Sequence, residues 1–157
     1  MRNEEDERAL LPAVAFKSCP IRTSLGVLGR KWTLLILRDV AFLKIDRFNQ
    51  ILRSLPGLTP RVLVLRLREL ERSGLIKPVV IQRRPKLVRW KLTEMGQDTV
   101  PILMSFISFG GKWYSDMVFE DGKPRTAPEL FPSVPEIKLR QVAREPGLRP
   151  RKSGYGI

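Results

Sequence analysis

The segment from residue 55 to residue 74 most constrains the fold, because it predicts a helix with a clear start and a clear end. A Pro-Gly pair interrupts the preceding pattern. Thr59 is a natural N-cap, since its side-chain oxygen can accept a hydrogen bond from a backbone N–H of the first turn. Pro60 suits the first helical position, where no N–H is needed, and Gly74 favours the helix end. We therefore predict a helix over residues 59–73.

The two sides of this helix differ in chemistry. With successive residues about 100° apart, one side carries the apolar stripe that a surface helix buries. This stripe consists of Leu63, Leu67 and Leu70. The opposite side carries positive charge and consists of Arg61, Arg68 and Arg72, with Leu65 between them. We predict that the leucine side of the helix, its back, packs into a core. The arginine side, its front, is predicted to face an anionic partner.

The positive charge of the chain is concentrated around this helix. The 157 residues carry a formal net charge of +13, and residues 30–91 hold 16 Lys or Arg against four Asp or Glu, a local balance of +12. Such localisation favours a polyanion, nucleic acid first and an anionic membrane surface second. The alternative, a generally basic protein kept soluble by its charge, predicts a more even spread.

Composition limits the class of function. The chain has no histidine, the commonest general base and transition-metal ligand, so we expect no enzyme, cofactor or metal site. The single cysteine, Cys19, excludes an intrachain disulfide and suits a reducing compartment. Residues 2–8 are mostly charged, and no apolar run approaches the roughly 20 residues that span a bilayer. We expect a soluble, cytoplasmic, nucleoid-associated protein of about one domain, without a membrane partner.

An arm and two helices are predicted at the N-terminal end. Residues 1–18 form a short arm with an acidic start and an apolar end. The first helix begins at Pro20, directly after Cys19, and Gly29 ends it. Its inward stripe is predicted to be Ile21, Leu25 and Leu28. Residues 31–40 are apolar on most sides, so we expect this second helix in the centre of the core.

A third helix and a tight turn lead into the arginine-bearing helix. Residues 42–45 could form either a small strand or a linker, and Asp46 is a candidate N-cap for the helix that follows. The apolar residues of that helix have helical spacing and are Phe48, Ile51, Leu52 and Leu55. Two amphipathic helices joined by about four residues, 56–59, the second rich in arginine, predict a helix-turn-helix.

After Gly74 the pattern becomes extended. Residues 75–82 and 87–92 are rich in Val, Ile, Leu and Trp, and they predict a β-hairpin. Its tip is basic and contains Arg83, Arg84 and Lys86. A basic hairpin directly after a helix-turn-helix is the winged form of the motif, in which the wing contacts phosphates or reaches a minor groove. The alternative for the tip is a solvated turn.

A long C-terminal helix is predicted after Thr93, its candidate cap, with Pro101 either bending it or marking a restart. It carries two apolar stripes. One consists of Val100, Leu103, Met104 and Ile107, and the other of Ile102, Phe106, Phe109 and Trp113. Packing on the winged domain accounts for the first stripe, and we predict that the second, together with Leu25, contacts a symmetric partner chain. The alternative is that the arm or the tail covers it.

Several linked motifs, in this order, resemble one family. They are Cys19-Pro20, residues 29–38, 47–49, 55–59, 67–71 and 74–76, and the run 92–96. Together they resemble the HxlR-type winged helix-turn-helix regulators over about residues 19–113. The resemblance implies a homodimeric bacterial or archaeal transcription factor that pairs through its N- and C-terminal helices and binds pseudo-palindromic operator DNA. It also implies DNA contacts for Thr59 and Arg61, and some members sense oxidants through a cysteine near the position of Cys19.

We therefore predict an α+β, mainly α, winged helix-turn-helix protein with an N-terminal arm (1–18), a DNA-binding and dimerisation domain (19–117) and a Pro-rich basic tail (118–157), in which 135–144 is a candidate short helix. Helix 59–73 is predicted to enter the major groove of double-stranded DNA, with Arg61 and Arg68 at base edges. The phosphate contacts are predicted to come from Thr59, Arg66, Arg72, Arg83, Arg84 and Lys86. Members of the family are commonly polar where this chain has Pro60, Val64 and Leu65. Leu65 is either a contact to a thymine methyl group or a neutral substitution.

Two points stay open at this level. The alternative function is a nonspecific architectural DNA-binding protein or an RNA-associated basic protein. Cys19, beside Lys17 and Arg22 at a helix N-terminus, is either a redox-sensing thiol or a small buried residue near the dimer contact. No pocket for a small-molecule effector can be derived from the sequence.

Overall fold

The computed structural model of the chain describes residues 11–132. Within this part, eight helices, one π-helical turn and one two-stranded sheet follow one another. In order they are α1 (Pro20–Leu28), α2 (Thr33–Arg38), the π-helical turn (Asp39–Leu43), α3 (Phe48–Ser54), α4 (Pro60–Arg72), β1 (Ile76–Arg83), β2 (Lys86–Leu92), α5 (Glu94–Gln97), α6 (Val100–Trp113), α7 (Ser115–Val118) and α8 (Ala127–Leu130). The predicted architecture, mainly α with a two-stranded wing, is confirmed.

Helix α1 has the predicted bounds but not the predicted inward stripe. Cys19 is its N-cap, Pro20 occupies the first turn, and Gly29 follows its last residue. No residue of α1 is buried, and Ile21 and Leu25 are exposed. The assignment of Ile21 and Leu25 to the core of the single chain is therefore wrong, whereas Leu28 is partly buried and packs against the core, as predicted. Helix α1 contributes only Val27 and Leu28, at the edge of the core, because the other helices and the first strand already enclose its centre.

The second helix is central, as predicted, and it runs further than predicted. Ile36, Leu37 and Val40 are buried in the core. After Arg38 the chain continues as the π-helical turn, which ends at Leu43, so of the predicted segment 42–45 the first two residues lie in that turn and the last two form a linker to α3. The buried carboxylate of Asp39 accepts hydrogen bonds from Arg38, at 2.6 and 2.9 Å, and from Ser54 of α3. These bonds hold the turn against α3.

The cap predicted for α3 is wrong. The N-cap is Arg47, whereas Asp46 is buried and binds Arg89 on β2. Arg89 lies 43 residues further along the chain, so local sequence does not reveal this pair. The predicted apolar face of α3 is confirmed, with Ile51 and Leu55 buried in the core and Phe48 and Leu52 packed against it.

Helix α4 forms where the sequence places it. Thr59 is the N-cap, and its hydroxyl accepts a hydrogen bond from the backbone N–H of Val62 at 3.3 Å. Gly74 follows the helix with φ +78°, a left-handed conformation that glycine adopts without a steric penalty. The predicted stripe is buried almost completely and consists of Leu63, Leu67 and Leu70. The back of α4 therefore fills the core.

The wing is the predicted antiparallel hairpin. Its strands pair from Ile76 opposite Leu92 to Arg83 opposite Lys86, with one irregularity between Val80 and Gln82. Thr93, just after β2, donates its backbone N–H to the carbonyl of Leu75 at 3.0 Å. The base of the wing is thereby closed against the end of the helix-turn-helix.

The predicted C-terminal helix is divided into α5, α6 and α7. Thr93 caps α5 by accepting the N–H of Gly96 at 3.0 Å, and Pro101 lies in the first turn of α6, so the proline marks a restart. The break is tightly packed, because a Cβ atom on Gly96 would lie 2.0 Å from the carbonyl oxygen of Leu75. Gly96 thus brings α5 directly onto the start of the wing.

Residues 119–132, the first part of the predicted tail, fold back along α6. The N–H of Arg125 donates to the carbonyl of Gly111 at 3.1 Å, and Phe131 stacks on Phe42 with ring centroids 5.8 Å apart. A hydrogen-bonded ion pair with Arg125 lowers the pKa of Asp121 to about 2. The boundaries of arm, domain and tail remain predictions. The acidic start of the arm and the candidate helix at 135–144 lie outside the described residues. Within 11–132, no helix is both long and apolar enough to cross a bilayer.

Candidate nucleic-acid interface

The front of α4 is exposed and positively charged. Arg61, Arg68 and Arg72 are all exposed on it, as the helical spacing predicts. Two aliphatic side chains share this face: Val64, at 38% exposure, and Leu65, at 47%. An exposed helix face that combines guanidinium and aliphatic groups can contact both phosphates and base edges.

Thr59 lies at the start of this face, where its hydroxyl already has a structural role. The oxygen accepts the N–H of Val62, while the hydroxyl hydrogen remains able to donate. Because residue 59 is exposed, a phosphate beside the N-terminus of α4 can reach this donor. The N-cap and the predicted phosphate contact are therefore compatible.

Arg66 does not share the exposed front, although it was predicted to hold phosphate. Its Nε donates to the carbonyl of Lys31 at 3.1 Å, and its guanidinium pairs with Glu69. The side chains of Arg66 and Glu69 are each only 15% exposed. Arg30 also binds Glu69, at 3.1 Å. Arg66 thus connects α4 to the segment between α1 and α2, a role that sequence spacing could not show.

The tip of the wing presents the predicted cations to solvent. Arg83, Arg84 and Lys86 are all exposed. Nearer the base, the Asp46–Arg89 pair ties β2 to the loop before α3, with Nε and Nη2 of Arg89 at 2.8 and 2.7 Å from Oδ2 of Asp46. This hydrogen bond raises the pKa of Arg89, so its guanidinium stays charged. The pair gives the basic tip a defined attachment to the helix-turn-helix.

Two cations, one at the N-cap of α3 and one on the helix itself, were missed in the sequence analysis. Arg47 and Arg53 are exposed and line a cleft of about 760 Å³ between α3 and the wing. Lys86 lies on the same cleft, with Phe48 and Trp90 among its apolar walls. Only folding brings these three cations together. The excess of positive charge in residues 30–91 was the one sequence signal that included them.

The predicted partner-binding face is exposed. Leu25, Ile102 and Phe106 line one open apolar groove of about 540 Å³, between α1, α2 and α6. Phe106 is 60% exposed. Phe109 and Trp113, also exposed, lie further along α6 and are not among the residues that line the groove. The groove therefore contains three of the five residues predicted to contact a partner chain, and the other two lie further along α6.

Cys19 is exposed at the N-terminus of α1, next to residues 20 and 21, which line the apolar groove. Its carbonyl accepts hydrogen bonds from the N–H and the hydroxyl of Thr23, at 3.0 and 3.1 Å. The thiol is exposed in the single chain, and both interpretations of Cys19, the redox-sensing thiol and the small residue near the dimer contact, stay predictions. Among residues 11–132, no group of three or more Asp, Glu or Cys side chains is arranged to hold a metal ion.

Comparison with known proteins agrees with this arrangement. YdeP of Bacillus subtilis (strain 168), an uncharacterized HTH-type transcriptional regulator, is 37% identical over 103 residues, which cover 66% of this chain and 79% of that protein. The redox regulator HypR in its oxidized form is 33% identical, with a TM-score of 0.52 over 59% of this chain and 94% of that chain. The reduced form of the B. subtilis regulator YodB is 26% identical, with a TM-score of 0.52 over 61% and 94%. A family profile described as HxlR-like helix-turn-helix matches residues 27–118, more than half of the chain. The chain therefore belongs to the HxlR-like helix-turn-helix family of transcriptional regulators.

Proposed function

We propose that the protein is a sequence-specific regulator that acts as a homodimer on a pseudo-palindromic operator. Two copies of α4 enter successive major grooves, about 34 Å apart, and the two wings lie on the backbone or in the adjacent minor groove. The observation that carries this proposal is the division of α4 into a buried leucine stripe and an exposed arginine front, with a basic wing after it.

The exposed cations take two kinds of role in this complex. Arg61 and Arg68 contact base edges, because a guanidinium can bind O6 and N7 of guanine together. The residues that hold phosphates and fix register are Thr59, Arg72, Arg83, Arg84 and Lys86, joined by Arg47 and Arg53 of α3. Arg66 is left out of the contact set because Glu69 and the Lys31 carbonyl occupy its guanidinium.

Pairing of two chains is supported by the apolar groove between α1 and α6. Exposing an apolar groove of this size to water is unfavourable in free energy, and a second copy of the same face would cover it. The contact set of the proposed dimer is Leu25, Ile102, Phe106, Phe109 and Trp113.

Selection of bound sequences from random double-stranded DNA tests this proposal. A palindromic consensus with half-sites one helical turn apart is the expected result. Binding to all sequences with equal affinity would instead support an architectural DNA-binding protein, and preference for single-stranded RNA would support the RNA-associated alternative. Either outcome would refute the proposed function.

Redox control through Cys19 is a second proposal, at the level of regulation. Its support is the exposed thiol beside the apolar groove, together with the similarity of the chain to HypR and YodB, the first of which is described as a redox regulator. Peroxide would oxidise the thiolate to a sulfenic acid with release of hydroxide, and a second thiol, from the partner chain or a small molecule, would then displace water to form a disulfide at the edge of the proposed dimer contact.

A further inference from the structure

The front of α4 carries few kinds of side chain. Residues 60–68, its first nine positions, contain only proline, arginine, valine and leucine. Leu63 and Leu67 are buried, and Arg66 is paired with Glu69. The side chains left on the exposed front of these turns are Arg61, Val64, Leu65 and Arg68. This front therefore offers guanidinium and aliphatic groups to DNA, and it offers neither a carboxamide nor a carboxylate.

The major groove distinguishes bases by groups that match particular side chains. Arginine binds O6 and N7 of guanine, Asn or Gln binds adenine, and Asp or Glu accepts from the amino group of cytosine. Aliphatic side chains contact the C5-methyl group of thymine. With the side chains that residues 60–68 expose on this front, the features that this part of α4 can read directly are guanine and the C5-methyl group of a pyrimidine.

Helical spacing places the two kinds of side chain next to each other. Leu65 follows Arg61 by four residues and precedes Arg68 by three, and side chains at these separations are neighbours about 5–6 Å apart on a helix. Successive bases of a strand are about 3.4 Å apart along the axis. An arginine bound to guanine therefore brings Leu65 to the pyrimidine beside it.

We propose that Leu65, with Val64 next to it, forms a reading site for the C5-methyl group of a pyrimidine adjacent to an arginine-bound guanine. The inference rests on the proposed function and specifies what α4 reads. In 5-methylcytosine the methyl group occupies the same position on the major-groove edge as in thymine. The site therefore accepts thymine or 5-methylcytosine and discriminates against uracil and unmethylated cytosine. Cytosine methylation at this step then raises the affinity of the protein for DNA.

The test uses the selected operator and four duplexes at each pyrimidine of a half-site: T·A, U·A, C·G and 5-methyl-C·G. Within each of the two pairs the duplexes differ by one methyl group. At one position, removing the methyl group is expected to weaken binding about fourfold in both pairs, and about 16-fold when both half-sites are changed. At the other pyrimidines the methyl group is expected to have no effect.

Two variants assign this effect to Leu65. Leu65→Ala is expected to lose the methyl dependence while it keeps the guanine preference and the fold, because residue 65 is exposed and alanine is the best helix former. Met95→Ala, on α5, is the matched control, since Met95 has the same exposed fraction of 47%. It is expected to retain the full methyl dependence.

The outcomes separate this inference from the function on which it rests. A palindromic operator bound equally well with and without methyl groups at every pyrimidine would overturn the inference and leave the proposed function intact. An unchanged methyl penalty in Leu65→Ala would also overturn it, because another group would then be the reader. Selection without any preferred sequence would refute both.

Discussion

Arg89 on β2 and Asp46 in the loop before α3 form an ion pair that attaches the wing to the helix-turn-helix. The guanidinium lies 2.8 and 2.7 Å from one carboxylate oxygen, and the N–H of Trp90 donates to the carbonyl of Asp46 at 2.8 Å. Asp46 is buried, whereas Arg89 is partly exposed. The orientation of the basic tip therefore depends on a side chain outside the wing.

Replacing Asp46 separates the effect of wing position from the effect of charge. Asp46→Ala raises the net charge by one, which by itself would strengthen DNA binding. We expect weaker binding to all sequences and a salt slope that is lower by about one phosphate contact, because the wing loses its ion pair with the loop before α3 and keeps only the backbone hydrogen bond of Trp90. Affinity measured across a salt series checks this. Asp98→Ala, which removes an exposed carboxylate from the end of α5, is the control, and an equal response of the two variants would contradict the prediction.

The variants Arg61→Ala and Lys86→Ala are expected to weaken DNA binding in different ways. Arg61→Ala should reduce the ratio of operator to random-DNA affinity about tenfold or more, because it removes a base contact in each half-site. Lys86→Ala should weaken both kinds of DNA equally and lower the salt slope by about one per site. Titration of operator and random duplexes at several salt concentrations distinguishes them. Equal losses on both duplexes for Arg61→Ala would rule out its base contact.

Arg66 and Arg68 are a matched pair on one helix with opposite expected behaviour. Arg66→Ala should lower the free energy of unfolding by about 2 kcal/mol, since it removes hydrogen bonds to the carboxylate of Glu69 and to the Lys31 carbonyl. Arg68→Ala should leave stability within about 0.5 kcal/mol and weaken operator binding. Urea unfolding and DNA titration measure the two quantities. Loss of operator affinity in Arg66→Ala without loss of stability would return this residue to the contact set.

Phe106 tests the proposed dimer contact. Phe106→Glu places a charge in the apolar groove, and we expect a folded monomer with greatly reduced operator affinity, because two linked half-sites no longer bind together. Sedimentation velocity gives the mass, and circular dichroism verifies the fold. Met95→Glu, at another exposed apolar position, should remain a dimer. A dimeric Phe106→Glu protein would place the pairing surface elsewhere.

Cys19 tests redox control. Treatment of the wild-type protein with peroxide or a quinone is expected to change operator affinity about fivefold or more, the size of an ordinary coupling between two sites. Cys19→Ser should bind as the reduced protein does and should not respond. Mass spectrometry of the treated protein identifies the product on the thiol. An oxidised Cys19 with unaltered operator affinity would exclude a sensing role.

The elements that the sequence predicted correctly are those whose causes are local. Thr59 and Gly74 mark α4 because capping and left-handed backbone are properties of single positions and their nearest neighbours. The exposed tip of the wing follows from the same kind of rule, since a few charged residues separate two β-prone runs. The arginine front of α4 needed only the helical period.

Two differences between prediction and structure arise where a partner is distant in the chain. Asp46 has the residue type of an N-cap, yet it binds Arg89, 43 positions away. Arg66 has the spacing of a surface cation, yet its guanidinium reaches the carbonyl of Lys31, 35 positions back. The residue type does not show whether a side chain binds a local or a distant partner, because the same hydrogen-bonding groups of the side chain can serve either one.

The sequence by itself determined the helix-turn-helix, the wing and the charged front of α4, because periodicity and capping act within a few residues. Tertiary structure alone decided which cations remain exposed on that front, how Arg89 attaches the wing, and that α1 and α6 share an open apolar groove. The physical reason is that burial and ion pairing depend on distances between segments far apart in the chain, and only packing of the core determines those distances.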